Sequence, residues 1–387
     1  TVMAKGAMAA DGTSFEDKVS THGQPLSAAG ADLAATVKNL GGNPDDPFAV
    51  FDESREVFAE RREQLREWAA RQAAVEKSWR SEHKDLARKL DDYFSGKLPE
   101  IDYKTIEVKP DVATRAASAA VLGVYAEKVG NMIVSSADLS NSDKTDGFLK
   151  KTRPIVKGDF TGQFLQAGVS ELTMACVMNG MALHGGVIPA CGTFFVFSDY
   201  MKPAVRLSAL MRLHVIYVWS HDSFRVGEDG PTHQPVEQEM QIRLMEHLKN
   251  HRGERSMVVL RPADGDEAVM AWKLALEEQR PVALVLSRQN IRSLKAMGST
   301  SRREEAVQAA KGGYVVMDAA KPAAILIASG SEVSTLVEGA EQLAAEGIAV
   351  RVVSVPSEGL FRDQPRSTRR ACCRPECRAT ALRRVFP

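Results

Sequence analysis

The densest chemistry in the chain lies between Ser220 and Gln234, SHDSFRVGEDGPTHQ. It gathers His221, Asp222, Arg225, Glu228, Asp229 and His233, with Gly227, Gly230 and Pro231 to turn the backbone among them. Two imidazoles and three carboxylates can hold zinc, or they can exchange protons with a hydroxylated substrate. The spacings match none of the usual zinc patterns, which favours the substrate reading. The sequence has no G-x-S-x-G, H-E-x-x-H, Walker loop or G-x-G-x-x-G, so hydrolase and nucleotidase readings lack their anchor residues.

These side chains need a scaffold, and the chain supplies one. Residues 132–135, 194–197, 215–219, 257–260, 282–286, 324–327 and 350–355 read as short buried strands. Helical stretches at 113–128, 172–183, 236–250 and 266–278 separate most of them. That alternation predicts an α/β fold with a parallel sheet covered on both faces. In such sheets ligands bind beyond the carboxyl ends of the strands, where this chain places SADLSNSD, SDY, SHDS, RPADGD and SRQN.

Upstream, residues 1–50 read as loop with a short helical stretch near 30–40. From 54 to 94, Phe58, Leu65, Trp68, Val75, Trp79, Leu86 and Leu90 form an apolar stripe on a charge-laced helix or helix pair. We expect that stripe to pack on the protein itself rather than on a coiled-coil partner. Residues 95–111 read as a linker.

The 387 residues carry 50 Lys+Arg and 50 Asp+Glu, a formal charge of zero that gives no general bias toward nucleic acid or membrane. No apolar run approaches the roughly 20 residues of a membrane span, and the first residues do not read as a secretion signal. Five cysteines are too few for a disulfide framework; Cys176 and Cys191 sit in apolar surroundings and are expected to be buried. A cytoplasmic setting is the default.

Seven strings, in order from about residue 11 to 365, resemble transketolase: HGQPL at His22, ATR at Arg115, SADLSNS at Asp138, GTFFVFSDYMKPAVRLSAL from Gly192, SHDSFRVGEDGPTHQPVEQ from Ser220, RPAD from Arg261 and SRQN from Ser287. The resemblance implies transfer of a two-carbon ketol unit from a ketose phosphate to an aldose phosphate by thiamine diphosphate. It implies that Glu171 contacts the aminopyrimidine N1′ and eases deprotonation of the cofactor. Phe194, Phe197 and Tyr200 match the family's pyrimidine pocket, and Asp138 maps to the cofactor side. Arg115, Ser142, His221 and Arg288 match the phosphate-binding set, Asp229 the acid that reads hydroxyl stereochemistry, and His233 and His22 the histidines around the ketol oxygens. The family normally flanks the glutamate with Arg and His or Phe; this chain has Ser170 and Leu172.

The family's divalent metal, Mg²⁺ or Ca²⁺, is held through a GDG motif that this sequence lacks, so its ligands are expected to be absent. The resulting domain reading is the end of the diphosphate-binding domain with a helical linker (1–110), a pyrimidine-binding domain (111–317), a truncated C-terminal α/β domain (318–365) and a basic tail foreign to the family (366–387). The complete family protein is a homodimer acting on sugar phosphates; the partial chain is expected to be inactive alone, or to be a half-enzyme or non-catalytic subunit needing a separate chain. The tail carries seven Arg and one acid, leaving 43 basic and 49 acidic residues before it. It reads as a shifted reading frame rather than a nucleic-acid arm.

Overall fold

A computed structural model describes residues 2–222, 225–373 and 378–381. The chain divides into two compact units, Thr1–Arg88 and Lys89–Pro387.

In the first unit, turns lead to a short helix, Leu33–Asn39, whose first turn is capped by Asp32 accepting from the Ala35 N–H at 2.7 Å. A 31-residue helix follows, Asp52–Glu82. The sequence pattern gave its apolar stripe correctly but not its environment, since no residue of this helix is buried. Phe58, Leu65, Trp68 and Val75 are 67, 47, 55 and 63% exposed, which corrects the expectation that the stripe packs on the chain itself. Ion pairs one turn apart, such as Glu63–Arg66 (2.7 Å) and Glu76–Arg80 (2.8 Å), run along it instead. The helix ends at His83, and a second helix, Lys84–Phe94, begins, so the helix-pair alternative is the one observed.

After the helix Lys84–Phe94, residues 95–113 form no helix or strand but bury Ile106 and bring the Tyr103 hydroxyl to 3.0 Å from that of Tyr125. Six strands follow: β1 (Met132–Ser136), β2 (Phe164–Gln166), β3 (Ile188–Phe194), β4 (Ile216–Ser220), β5 (Val258–Leu260) and β6 (Val282–Leu286). They make one parallel sheet in the order β2-β1-β3-β4-β6-β5. Alternation along β4 explains how both faces are filled: Ile216 and Val218 join one core with Val121, Tyr125 and Trp272, while Tyr217 and Trp219 join the other with Met174, Met178 and Phe195. The helices Thr114–Lys128, Glu171–His184, Ser198–Met211, Gln238–His247 and Gly265–Glu277 connect the strands.

The strand expected at 194–197 is displaced: β3 ends at Phe194, and Phe195–Phe197 is a 3₁₀ turn. Pro189, Cys191 and Gly192 hide the real strand behind residues with poor strand propensity, although all seven positions of β3 are buried. The three-residue β2 gave no run long enough to see. Cys191 is buried as expected, whereas Cys176 is exposed on the outer face of its helix.

A second sheet contains β7 (Tyr314–Met317), β8 (Ala324–Ala328), β9 (Val350–Ser354) and β10 (Arg378–Ala381), in the order β10-β8-β9-β7 with only β7 antiparallel. The tail supplies the helix Arg366–Cys372 and β10. Buried Arg351 holds that helix by donating from Nη1 to the Ala371 carbonyl at 2.8 Å, while its Nε pairs with Asp318 at 2.7 Å. Cys372 is buried, and Cys377 lies outside the described residues.

Candidate active site

Connecting helices run antiparallel to the strands of a parallel sheet, so helix starts and strand ends meet on one edge of the sheet. Arg115 lies in the first turn of the helix Thr114–Lys128, and Glu171 opens Glu171–His184. The first helix start is fastened to the end of β6: the Thr114 N–H donates to Ser287 Oγ (2.9 Å), and the Ser287 N–H donates to Thr114 Oγ1 (2.8 Å).

Glu171, Phe194, Phe197 and Tyr200 stand at this edge. Glu171 is only 7% exposed and accepts from Thr193 Oγ1 at 3.4 Å. A carboxylate at a helix N-terminus is favoured by the helix dipole. Because β3 stops at Phe194, the next turn brings Phe194 and Phe197 onto the same side, their rings nearly parallel (8°) with centroids 5.9 Å apart. Tyr200 continues this aromatic wall 6.1 Å from Phe197. The flanking departures are visible: Ser170 turns its hydroxyl back to the Ala167 carbonyl (2.8 Å), and Leu172 is 45% exposed. Neither reaches toward Glu171 as an arginine would. Asp138 follows β1, exposed and in a left-handed conformation (φ 63°).

The polar residues gather next to this wall. Arg115 Nη1 donates to the carbonyl of Ser142 at 2.5 Å and to its hydroxyl at 3.3 Å. His221 follows β4 with φ 64°, a conformation that costs a non-glycine residue about 1–2 kcal/mol. It is held by Ser220 Oγ at 2.9 Å from Nδ1 and by stacking on Phe194, centroids 3.7 Å apart. His233 meets Phe197 edge-on at 5.3 Å. Arg288 reaches Glu228 at 3.3 Å and Asp229 at 3.9 Å.

The electrostatics are those of an anion site. Burial, and then the charge of Arg288, lower the Arg115 pKa. Burial pushes His221 down to about 3, and Arg115, Arg288 and His233 push in the same direction. A phosphate dianion would relieve the desolvated Arg115, which Arg288 repels, beside an imidazole kept neutral. His22 belongs to the first unit, exposed after the 3₁₀ turn Val19–Thr21.

Sequence reasoning missed the layer beneath these residues. Thr193 supports Glu171, and Ser220 orients the His221 ring. Asp143 is fully buried, accepting from Ser136 Oγ (2.7 Å) and from the Thr145 N–H (2.8 Å) and hydroxyl (2.7 Å). Burial nevertheless raises its pKa to about 6. A Cβ on Gly192 would lie 2.7 Å from Asp143 Oδ2, so strand and carboxylate fit only because residue 192 has no side chain. The available signal was an acid placed just after a strand, in SADLSNSD.

Residues 110–293 match the family model for the transketolase pyrimidine-binding domain, and residues 312–384 match that for the transketolase-like C-terminal domain. The chain belongs to the transketolase family. It is 42% identical over 354 residues to transketolase of Halalkalibacterium halodurans, covering 89% of this chain and 50% of that protein. It is 37% identical over 369 residues to transketolase of Aquifex aeolicus, covering 94 and 51%. Among solved structures, Leishmania mexicana transketolase superposes with a TM-score of 0.81 at 31% identity, over 98% of this chain and 53% of that one. Pichia stipitis transketolase in complex with sedoheptulose 7-phosphate gives 0.77 at 32% identity, over 90 and 51%. The chain thus spans about half the length of the curated relatives it matches.

Proposed function

We propose that this chain is the pyrimidine-domain half of a transketolase, acting in thiamine diphosphate-dependent transfer of a two-carbon ketol unit between sugar phosphates. The observation that carries the reading is the juxtaposition, at one sheet edge, of buried Glu171 and the Phe194–Phe197–Tyr200 wall with Arg115, His221 and Arg288. Glu171 and the aromatic wall fit the cofactor's aminopyrimidine, because they pair a buried carboxylate with flat apolar surface. When bound, thiamine diphosphate supplies an acidic ring carbon and the electron sink for carbon–carbon cleavage.

The chain's own residues have distinct work in this reading. Glu171 shares a proton with the pyrimidine N1′, while the three aromatic rings exclude water and hold the ring plane. Arg115, Arg288 and Ser142 grip the substrate phosphate, with Arg288 exchanging Glu228 for it. Asp229 accepts from the hydroxyl next to the substrate carbonyl. His221 joins Arg115 and Arg288 at the phosphate, and His233 hydrogen-bonds the ketol oxygens and stabilises developing negative charge. Asp138 faces the cofactor. Mg²⁺ or Ca²⁺ would be carried with the diphosphate by a complementary half; among the described residues no group of three or more His, Cys, Asp or Glu side chains could hold an ion.

The complete assembly is proposed to be a cytoplasmic homodimer, with no nucleic-acid or membrane partner. No described helix is long and apolar enough to cross a membrane. A match to half of each relative fits a partial chain inactive alone and a half-enzyme that needs a separate chain alike. The test is transfer from xylulose 5-phosphate to ribose 5-phosphate by the purified chain, alone and with the diphosphate-binding half of a relative. Negligible turnover alone and turnover on mixing support the reading. Robust turnover by the chain alone refutes the half-enzyme proposal, and failure of every mixture to bind cofactor refutes the site assignment.

A further inference from the structure

His221 needs more than its ring contacts to stay where it is. A left-handed histidine at the end of a strand persists only where its neighbours over-determine it. The next residue, Asp222, is 1% exposed, and its Oδ2 accepts from Arg261 Nε at 3.1 Å and pairs with Nη2 at 2.9 Å. Ser331 Oγ donates to the same oxygen at 3.3 Å. Asp222 is therefore anchored through one carboxylate oxygen, with its other oxygen unpartnered.

Arg261 is itself clamped from the second sheet. It follows β5, its N–H donates to the Pro356 carbonyl at 2.8 Å, and its own carbonyl accepts from the Gly330 N–H at 3.0 Å. Its Nη1 donates to the Ser329 carbonyl at 3.1 Å, and Nη2 pairs with Glu332 at 2.7 Å. Glu239 completes the surroundings at 3.5 Å. Gly330 turns the chain with φ 61°, and a Cβ there would lie 2.6 Å from Arg261 Cγ and Nε. The turn after β8 thus admits only glycine at its closest approach to the arginine.

We propose that Arg261 and Asp222 are positioning residues, through which the Ser329–Gly330–Ser331 turn of the C-terminal domain holds His221 in its left-handed, ring-stacked setting. This inference rests on the proposed function only for the ligand that His221 meets. It gives the C-terminal domain a part in substrate binding without a substrate contact. It also accounts for two of the motifs, SHDS and RPAD, whose Asp222 and Arg261 the proposed chemistry leaves unused.

The test is NMR of the full chain carrying isotope-labelled histidine. Stacking on Phe194 gives the His221 ring a ring-current-shifted signal, and burial keeps that ring neutral well below the usual histidine range. In Arg261→Lys and Gly330→Ala the signal should move toward that of an exposed histidine and titrate nearer to ordinary histidine. Affinity for xylulose 5-phosphate, followed on the same signal, should fall about tenfold or more. Ser331→Ala, the milder change, should move both readouts the same way by less, and it keeps the test alive if the other variants do not fold. Folded variants that melt earlier but keep the wild-type His221 signal and affinity overturn the proposal, leaving the cluster as a staple between domains. If xylulose 5-phosphate leaves the wild-type signal untouched while the variants still shift it, the positioning role stands and the proposed substrate fails.

Discussion

Two helices of this chain carry apolar stripes and meet opposite fates. In Gly265–Glu277, nine of the 13 residues are buried, and Trp272 packs edge-on against Tyr125 at 5.6 Å while donating to Ser118 Oγ at 2.8 Å. In Asp52–Glu82, more than twice as long, none is buried. A 3.6-residue repeat states which face of a helix is apolar; it does not state what covers that face. Where β6 and the helix Thr114–Lys128 lie alongside, the pattern becomes core.

The contrast has measurable consequences. Trp272→Ala should destabilise the chain by about 3–5 kcal/mol in chemical unfolding, because it opens a cavity and leaves Ser118 unpaired. A loss below about 1 kcal/mol would erase the distinction between the two helices.

The next largest effects concern titratable groups buried at the sheet edge, in contrast to the exposed ion pairs of Asp52–Glu82. Burial raises Asp143 to about 6, so its protonated form is favoured on folding. Its contribution is full below the ordinary aspartate value of 3.8 and is lost as pH rises through about 6. Asp143→Asn should remove that loss, about 2–3 kcal/mol, from the stability profile between pH 4 and 7. His221 has the opposite sign. Its neutral form is favoured on folding, so stability is present above the ordinary histidine value of 6.5 and lost as pH falls toward about 3. His221→Asn, which tolerates the left-handed backbone, should flatten the acid limb. Unfolding midpoints measured from pH 3 to 8 check both, and profiles unchanged by either substitution would contradict the burial argument.

Smaller still is the cap at Ser301. Its hydroxyl accepts from the Glu304 N–H while Glu304 accepts from the Ser301 N–H, and Ser301→Ala should cost about 1 kcal/mol. Smallest is Trp68→Ala. In the chain alone it should change stability by no more than about 0.5 kcal/mol, as an exposed side chain would. A large effect would mean the stripe is covered after all.

The parallel sheet was readable from the sequence wherever strands were runs of Val, Ile and Leu, as in 282–286, and wherever helices had ordinary length. Phe194, Phe197 and Tyr200 stack along one wall, yet the strand was expected where the turn is. Aromatic residues mark burial in either geometry, and the β3 residues with low strand propensity gave no competing signal. His221 and Asp229 stand out in a polar segment after an apolar run, whereas Arg115 and Arg288 were recognisable only through the family resemblance. The layer below was not recognisable. Thr193 and the Arg261–Asp222 clamp act through distances between segments 22 and 39 residues apart, and no local pattern encodes those distances. Cys176 shows the same limit: its apolar neighbours lie on both sides of one helix, and only one side faces the core.

The pairing of β10 with β8 has a consequence for handling the protein. β8 is a short Ala-Ile-Leu-Ile-Ala segment, flanked by β9 on one side and by residues 378–381 on the other. Remove that outer neighbour and a row of backbone donors and acceptors on an apolar strand is offered to any passing chain, which is how edge-to-edge aggregation begins. Truncation at residue 365 should therefore reduce the yield of dispersed protein even where the site at the far sheet is untouched.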